Sequence, residues 1–215
     1  MQITLNNIIP IPLKENLSKR PSDVWHSQIE FEKGCRVKIK APSGTGKTTL
    51  VHYLYKMRSD YDGTILWDNK DVQEINGDEL ALRRQNNISV IFQDLRLFAQ
   101  LTARENIELN RVLQKPFYAS SVIDEMSEKL GITHILEQRA GICSYGEQQR
   151  IAIIRALVQP FDLLVMDEPF SHLDINNSQK AATLIDEECA KRGAGFILTD
   201  LDDDQYFNYT TLRSL

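Results

Sequence analysis

The sequence predicts an α/β fold with a mostly parallel sheet and an inserted helical lobe. Three observations carry that reading. Short apolar, β-rich runs alternate with helical patterns in both halves of the chain. A glycine-rich string, APSGTGKT at 41–48, lies between one such run and a helix. From about residue 102 to 158, helix signals follow one another with no convincing strand.

The first 25 residues carry the weakest signal, because Pro10, Pro12 and Pro21 break any long element there. RVKIK (36–40) reads as a short strand. KTTLVHYLYKM (47–57) follows with Leu50, Leu54 and Met57 at helical spacing. GTILWD (63–68) and ISVIF (88–92) read as strands. DLLVM (162–166) and GFILT (195–199) read as buried strands, with a long helix around 175–191 between them. In the middle, Thr102 to Glu105 has the spacing of a capping box, in which the hydroxyl accepts a backbone N–H and the carboxylate reaches back. Ser121 starts a second helix closed by Gly131, and Ser144 to Glu147 repeats the box to open a third.

Composition narrows the function. Net charge is −5 over 215 residues, which argues against a nucleic-acid backbone as main partner. Cys35, Cys143 and Cys189 form no C-x-x-C pair and read as reduced thiols of a cytosolic protein. The start of the chain lacks the pattern of a signal peptide, and no apolar run is long enough to span a bilayer. A membrane role would therefore come through a partner chain.

Two motifs point to nucleotide chemistry. In APSGTGKT, Gly44 and Gly46 allow a backbone whose N–H groups turn inward around an anion. Ser43 to Thr49 would line the phosphates, Lys47 would supply charge to the β/γ-phosphates, and Thr48 a hydroxyl to Mg²⁺. The usual first glycine of this pattern is Ala41. In LLVMDEP (163–169) an apolar strand ends in two carboxylates. Asp167 would serve the Mg²⁺ shell and Glu168 would polarise the attacking water. Together they describe a phosphate-loop NTPase.

The order of phosphate loop, IFQD, CSYGEQQR, LLVMDEP and SHLD resembles the ATP-binding subunits of ABC transporters over nearly the whole chain. The run IFQDLRLFAQLTARENIEL is most similar to the subgroup serving cell division, lipoprotein release and macrolide-type export. The resemblance implies one domain over 1–215, with an α/β core at 1–93 and 159–215 and a helical signature subdomain at 94–158. An antiparallel β part is expected near the N-terminus. Gln93 would be a glutamine touching Mg²⁺, the reaction and a transmembrane partner, with Leu95, Leu97 and Phe98 close to the docking surface. Ser144, Gly146 and Glu147 would belong to a signature that faces the ATP of a second cassette, head to tail. Ser171 and Asp174 would lie in the D-loop at that interface. The resemblance thus implies ATP and Mg²⁺, a homodimer or heterodimer, permease subunits on a separate chain, and a cytoplasmic place on the membrane's inner face. The plainer reading is that Ser144 and Glu147 only cap a helix; capping and ligand binding are compatible, since a helix start has several unsatisfied N–H groups.

The sequence also departs from the family pattern. Cys143, Tyr145 and Glu147 stand where the signature has Leu, Gly and Gln. No aromatic is well placed to stack on adenine: Trp25 is too near the loop, so either stacking is absent or an apolar residue such as Ile11 replaces it, and no residue is assigned. Asp200 replaces the histidine expected after the strand-end threonine. His26, His52, His134 and His172 read as surface or packing residues, and residues 202–204 as a solvated acidic turn. These departures keep open a second reading, an ATP-gated interaction module with little turnover. DNA-repair ATPases would carry a long coiled-coil insertion, absent here, and a small-molecule kinase would not explain CSYGEQQR or SHLD.

Overall fold

The computed structural model describes residues 1–17, 21–113 and 115–215. Among them two sheets form. In the first, β1 (Ile3–Pro10) pairs antiparallel with β2 (Gln28–Phe31) and β4 (Tyr61–Trp67), and β5 (Lys70–Asp71) completes the order β2-β1-β4-β5. This is the expected antiparallel part. Its strand β1 is longer than the prolines suggested, because Pro10 is its last residue rather than an interior one. Ile3, Leu5 and Ile8 are fully buried and seat it. A short helix, α1 (Lys14–Leu17), follows.

The second sheet is parallel, in the order β6-β7-β8-β3-β9: β3 (Arg36–Lys40), β6 (Ile88–Ile91), β7 (Leu163–Asp167), β8 (Gly195–Asp200) and β9 (Thr211–Ser214). Every residue of β7 is buried, which explains its unbroken apolar run. Around the sheet lie α2 (Lys47–Leu54), α3 (Gly77–Asn86), α4 (Ala103–Val112), α5 (Ser121–Lys129), α6 (Tyr145–Val158) and α7 (Ile175–Arg192). The expected helix at 47–57 stops at Leu54, and Lys56 turns left-handed at φ 54°. Both capping boxes form, at Thr102 and at Ser144.

Helix α3 and strand β9 escape the sequence patterns for a physical reason. No residue of α3 is buried, so no apolar stripe marks it; Asn76 caps it by accepting from the Glu79 N–H at 2.9 Å. β9 is four residues at a sheet edge. The lobe formed by α4, α5 and α6 shares a core with the sheet: Ile107, Ile123, Met126 and Ile154 belong to one apolar cluster with Leu164 and Phe196.

The segment 202–204 is not a solvated turn throughout. Asp202 and Asp203 are exposed, but the Asp204 side chain is buried and ion-paired with Lys38. A buried lysine in a central strand requires a counter-charge, and residue 204 supplies it.

Candidate functional site

The phosphate-loop string leaves β3 at Lys40 and enters α2 at Lys47. Gly44 and Gly46 have φ of 78° and 102°, backbone that a side chain disfavours. At Gly46 the lack of a side chain is also steric, since a Cβ there would lie 2.7 Å from a Leu13 methyl. α2 has no side-chain cap on its first N–H groups among the described residues. It therefore presents free donors and a positive dipole end at the loop.

A cavity of about 280 Å³ opens here, lined by Ser43, Gly44, Gly46, Lys47, Thr48 and Thr49 of the loop, by Gln93 and Glu168 from the neighbouring strand ends, and by Leu13. Thr45 is buried beneath, donating its hydroxyl to the Pro42 carbonyl at 2.8 Å. A larger cavity of about 410 Å³ between β2 and β9 holds none of the predicted site residues.

Four side chains converge at the mouth. The Lys47 ammonium donates to the Ala41 carbonyl at 3.0 Å and pairs with Glu168 Oε1 at 3.2 Å. Gln93 donates to Glu168 Oε2 at 3.2 Å, and the Thr48 hydroxyl donates to Gln93 Oε1 at 3.4 Å. Glu168 adopts φ 47°, a left-handed conformation that is costly for a residue with a side chain. It is tied down by its N–H donating to the Thr199 carbonyl at 2.9 Å. Asp167, fully buried, accepts from the Thr199 hydroxyl at 2.8 Å through Oδ1. Its Oδ2 has no hydrogen-bond partner among the described residues. Burial pushes this carboxyl up, and the nearby hydroxyls of Thr48 and Thr199 pull it partly back.

The string at 143–150 lies apart from this cluster. Ser144 caps α6, and Glu147 accepts from both the Ser144 N–H and its hydroxyl, each at 2.8 Å. Those bonds hold the Glu147 carboxyl below its usual range. Gly146 packs against the 171–174 segment: a Cβ would meet the His172 carbonyl at 3.1 Å. The Tyr145 ring, 47 % exposed, lies edge-on to the His172 imidazole with centroids 4.1 Å apart. Ser171 donates its hydroxyl to the Glu168 carbonyl at 3.1 Å, and Asp174 caps α7 by accepting from the Asn177 N–H at 2.8 Å.

Asp200 ends β8 beside the loop, its carbonyl accepting from the Ala41 N–H at 2.9 Å. Its carboxylate accepts from the Leu201 N–H at 2.7 Å, and burial pushes the carboxyl up. Of the apolar residues near Gln93, Leu95 is buried, Leu97 packs against the lobe core, and Phe98 is 59 % exposed. Leu95 is thus covered and Leu97 partly packed on the lobe core, which leaves Phe98 as the exposed one of the three.

Sequence reasoning missed three contributors. Leu13, not Ile11, supplies the apolar wall of the cavity. Trp25 lies under the loop, donating its ring N–H to the Thr45 carbonyl at 3.2 Å. Gln149, buried in α6, donates to the Pro169 carbonyl at 2.7 Å and so joins that helix to the turn after Glu168. Gln149 was legible as an amide within an otherwise buried helix run; the other two depend on chain packing far from the motif.

A glycine loop between a parallel strand and a helix, with carboxylates at the end of another strand of the same sheet, defines the phosphate-loop NTPase class. The family model for ABC transporters matches residues 26–171, and the chain belongs to that family. Among its relatives is the lipoprotein-releasing system ATP-binding protein LolD of Syntrophotalea carbinolica, 32% identical over 85% of this chain and 82% of that protein. Another is the macrolide export ATP-binding/permease protein MacB of Campylobacter jejuni, 35% identical over 68% of this chain and 23% of that protein. Both names fall in the subgroup that the sequence resembles. The solved dimeric structure of MJ0796, a bacterial ABC transporter cassette, has the same fold: the TM-score is 0.76 at 23% identity, covering 93% of this chain and 88% of that one.

Proposed function

We propose that this chain binds Mg-ATP at the cavity before α2, hydrolyses it, and works as one half of a head-to-tail pair that drives separate permease subunits. The observation that carries this is the convergence of Lys47, Thr48, Gln93 and Glu168 around a helix N-terminus with uncapped N–H donors, with the buried Asp167 carboxyl within reach of Thr48, Lys47 and Glu168. Lys47 meets the β/γ-phosphate charge, and the N–H groups from Ser43 to Thr49 surround the phosphates. Glu168 accepts a hydrogen bond from the attacking water and takes its proton as the water oxygen bonds to the γ-phosphorus and the bond to the β–γ bridging oxygen breaks, releasing ADP and phosphate. Leu13 gives an apolar wall for the nucleoside side.

Mg²⁺ fits the residues present, because Asp167 Oδ2 is buried with no hydrogen-bond partner among the described residues, the Thr48 hydroxyl lies near that carboxyl, and the same hydroxyl contacts the Gln93 amide oxygen at 3.4 Å. Asp167, Thr48 and Gln93 would hold the ion. When bound, Mg²⁺ neutralises phosphate charge.

Ser144, Gly146 and Glu147 are assigned to the surface facing the nucleotide of the second cassette, with Ser171 and Asp174 at the same interface. The helical part, 94–158, carries the docking surface for the membrane partner. Phe98 is its exposed anchor, and Ile142, 75 % exposed, flanks the Gly141 N–H to Ala99 carbonyl bond nearby. No helix among the described residues is long and apolar enough to cross a membrane, which fits a peripheral place on the inner face through those partners.

A second reading, an ATP-gated module with little turnover, is favoured by Asp200 standing beside the phosphate loop. An ionised carboxylate cannot donate to a γ-phosphate. Steady-state ATPase measurement together with calorimetry of Mg-ATP separates the two. Turnover that disappears in Glu168→Gln supports the first reading. Tight binding with no turnover supports the second, and no binding sinks both.

A further inference from the structure

Strand β3 leads directly into the phosphate loop, and one of its faces carries Arg36, Lys38 and Lys40. Basic side chains on a strand flanked on both edges are costly to bury unless paired. Each here has an aspartate: Arg36 bonds Asp186 of α7, Lys38 bonds Asp204, and Lys40 bonds Asp203. The middle pair is the buried one, with side chains 2 % and 8 % exposed. Asp204 is saturated. Its Oδ1 accepts from the Tyr206 N–H at 3.0 Å and the Tyr209 hydroxyl at 2.7 Å, while Lys38 sits on Oδ2.

Residues 201–210 form neither helix nor strand. They are held by the buried Lys38, Asp204 and Tyr209 bonds and by aromatic contacts, whereas the Lys40–Asp203 pair is solvent-exposed and adds little. Phe207 packs on Phe196 of β8 with centroids 4.7 Å apart, and Tyr206 packs on Phe170 at 5.2 Å. Phe170 lies two residues after Glu168, so the segment touches the strand entering the phosphate loop on one side and the turn leaving Glu168 on the other. It follows directly on Asp200, the last residue of β8. None of Lys38, Asp204 and Tyr209 lines the nucleotide cavity.

We propose that Lys38, Asp204 and Tyr209 are positioning residues for hydrolysis, a brace that holds segment 200–207 against β3 and thereby sets both Asp200 and the Glu168–Phe170 turn. This rests on the reading that the site hydrolyses ATP. The brace acts through other groups, so its loss alters turnover rather than nucleotide affinity.

The test uses the full chain with Asp204→Asn, Tyr209→Phe, and the double variant Lys38→Met/Asp204→Asn, which leaves no buried charge unpaired. Asp203→Asn, whose carboxylate is solvent-exposed, is the control. Turnover is expressed per nucleotide-binding site, with sites counted by calorimetric stoichiometry, so misfolded protein does not contribute. The expected result is a fall in kcat of about 10-fold for Asp204→Asn and the double variant, with KM within about twofold. Tyr209→Phe falls less, and the control not at all. Unchanged kcat per site in the brace variants, or a loss confined to KM, overturns the proposal. If the unmodified chain shows no turnover, the hydrolysis reading fails by itself, and hydrogen exchange decides the brace. Faster exchange in Asp204→Asn confined to residues 168–173 and 199–207 supports it; unchanged exchange there overturns it.

Discussion

Two helices in this molecule begin at glycine-bearing strings, and their N-termini are chemically opposite. α2 opens at Gly46 with no side-chain cap among the described residues, and Lys47 stands beside it. α6 opens at Ser144 with a complete capping box, so a carboxylate of its own chain already occupies the N-terminus. Both ends carry the same dipole and the same spare N–H groups. The first keeps them for an external anion; the second spends part of them on Glu147. A helix N-terminus is therefore an anion site only to the extent that the sequence leaves it uncapped.

The largest effects are expected at α2. Lys47→Ala should abolish measurable Mg-ATP binding by calorimetry, because it removes the cation that meets the β/γ-phosphates. Unchanged affinity would place the nucleotide elsewhere. Next is Glu168→Gln, expected to lower turnover by about 10²–10⁴ while keeping ATP bound. Size-exclusion with ATP should then show a dimer that the unmodified chain forms only transiently; monomers at high concentration in both would count against the head-to-tail pair.

Asp200→His supplies a donor where a carboxylate stands, and should raise turnover by up to about 10²-fold. Equal rates in Asp200→His and Asp200→Ala would show that the carboxylate, bound to the Leu201 N–H, serves only as a local cap.

The smallest effects belong to Glu147, and they sharpen the contrast. Glu147→Gln removes the resident charge from α6 and should tighten the ATP-dependent dimer by about two- to fivefold, as expected of one charge at a helix end, about 0.3–1 kcal/mol. Glu147→Ala should cost about 0.3–1 kcal/mol of stability, read by thermal melting, through loss of the carboxylate half of the capping box. The sign with pH follows from the folded carboxyl lying below its usual range. Its contribution is present above the ordinary glutamate pKa and is lost as pH falls through the lower folded value. Glu147→Ala should therefore narrow its deficit in acid.

The alternation of strands and helices, the phosphate loop, both capping boxes, Asp167 at the end of β7 and Glu168 just after it were legible in the sequence, because each depends on spacing within a few residues. A capping box is local geometry, and a buried parallel strand must be apolar throughout. Tertiary structure alone decided what depends on neighbours distant in sequence. It placed Leu13 rather than Ile11 against the cavity, and it put Trp25 beneath the loop. It converted part of the acidic run after Asp200 into buried partners, since Lys38 needs Asp204, 166 residues away. It also set the Glu168 backbone in a strained left-handed turn held by Thr199. Sequence pattern reports which side chains prefer burial, whereas a buried charge, a strained φ or a shared cavity wall is fixed only when the sheet order brings β3, β7 and β8 side by side.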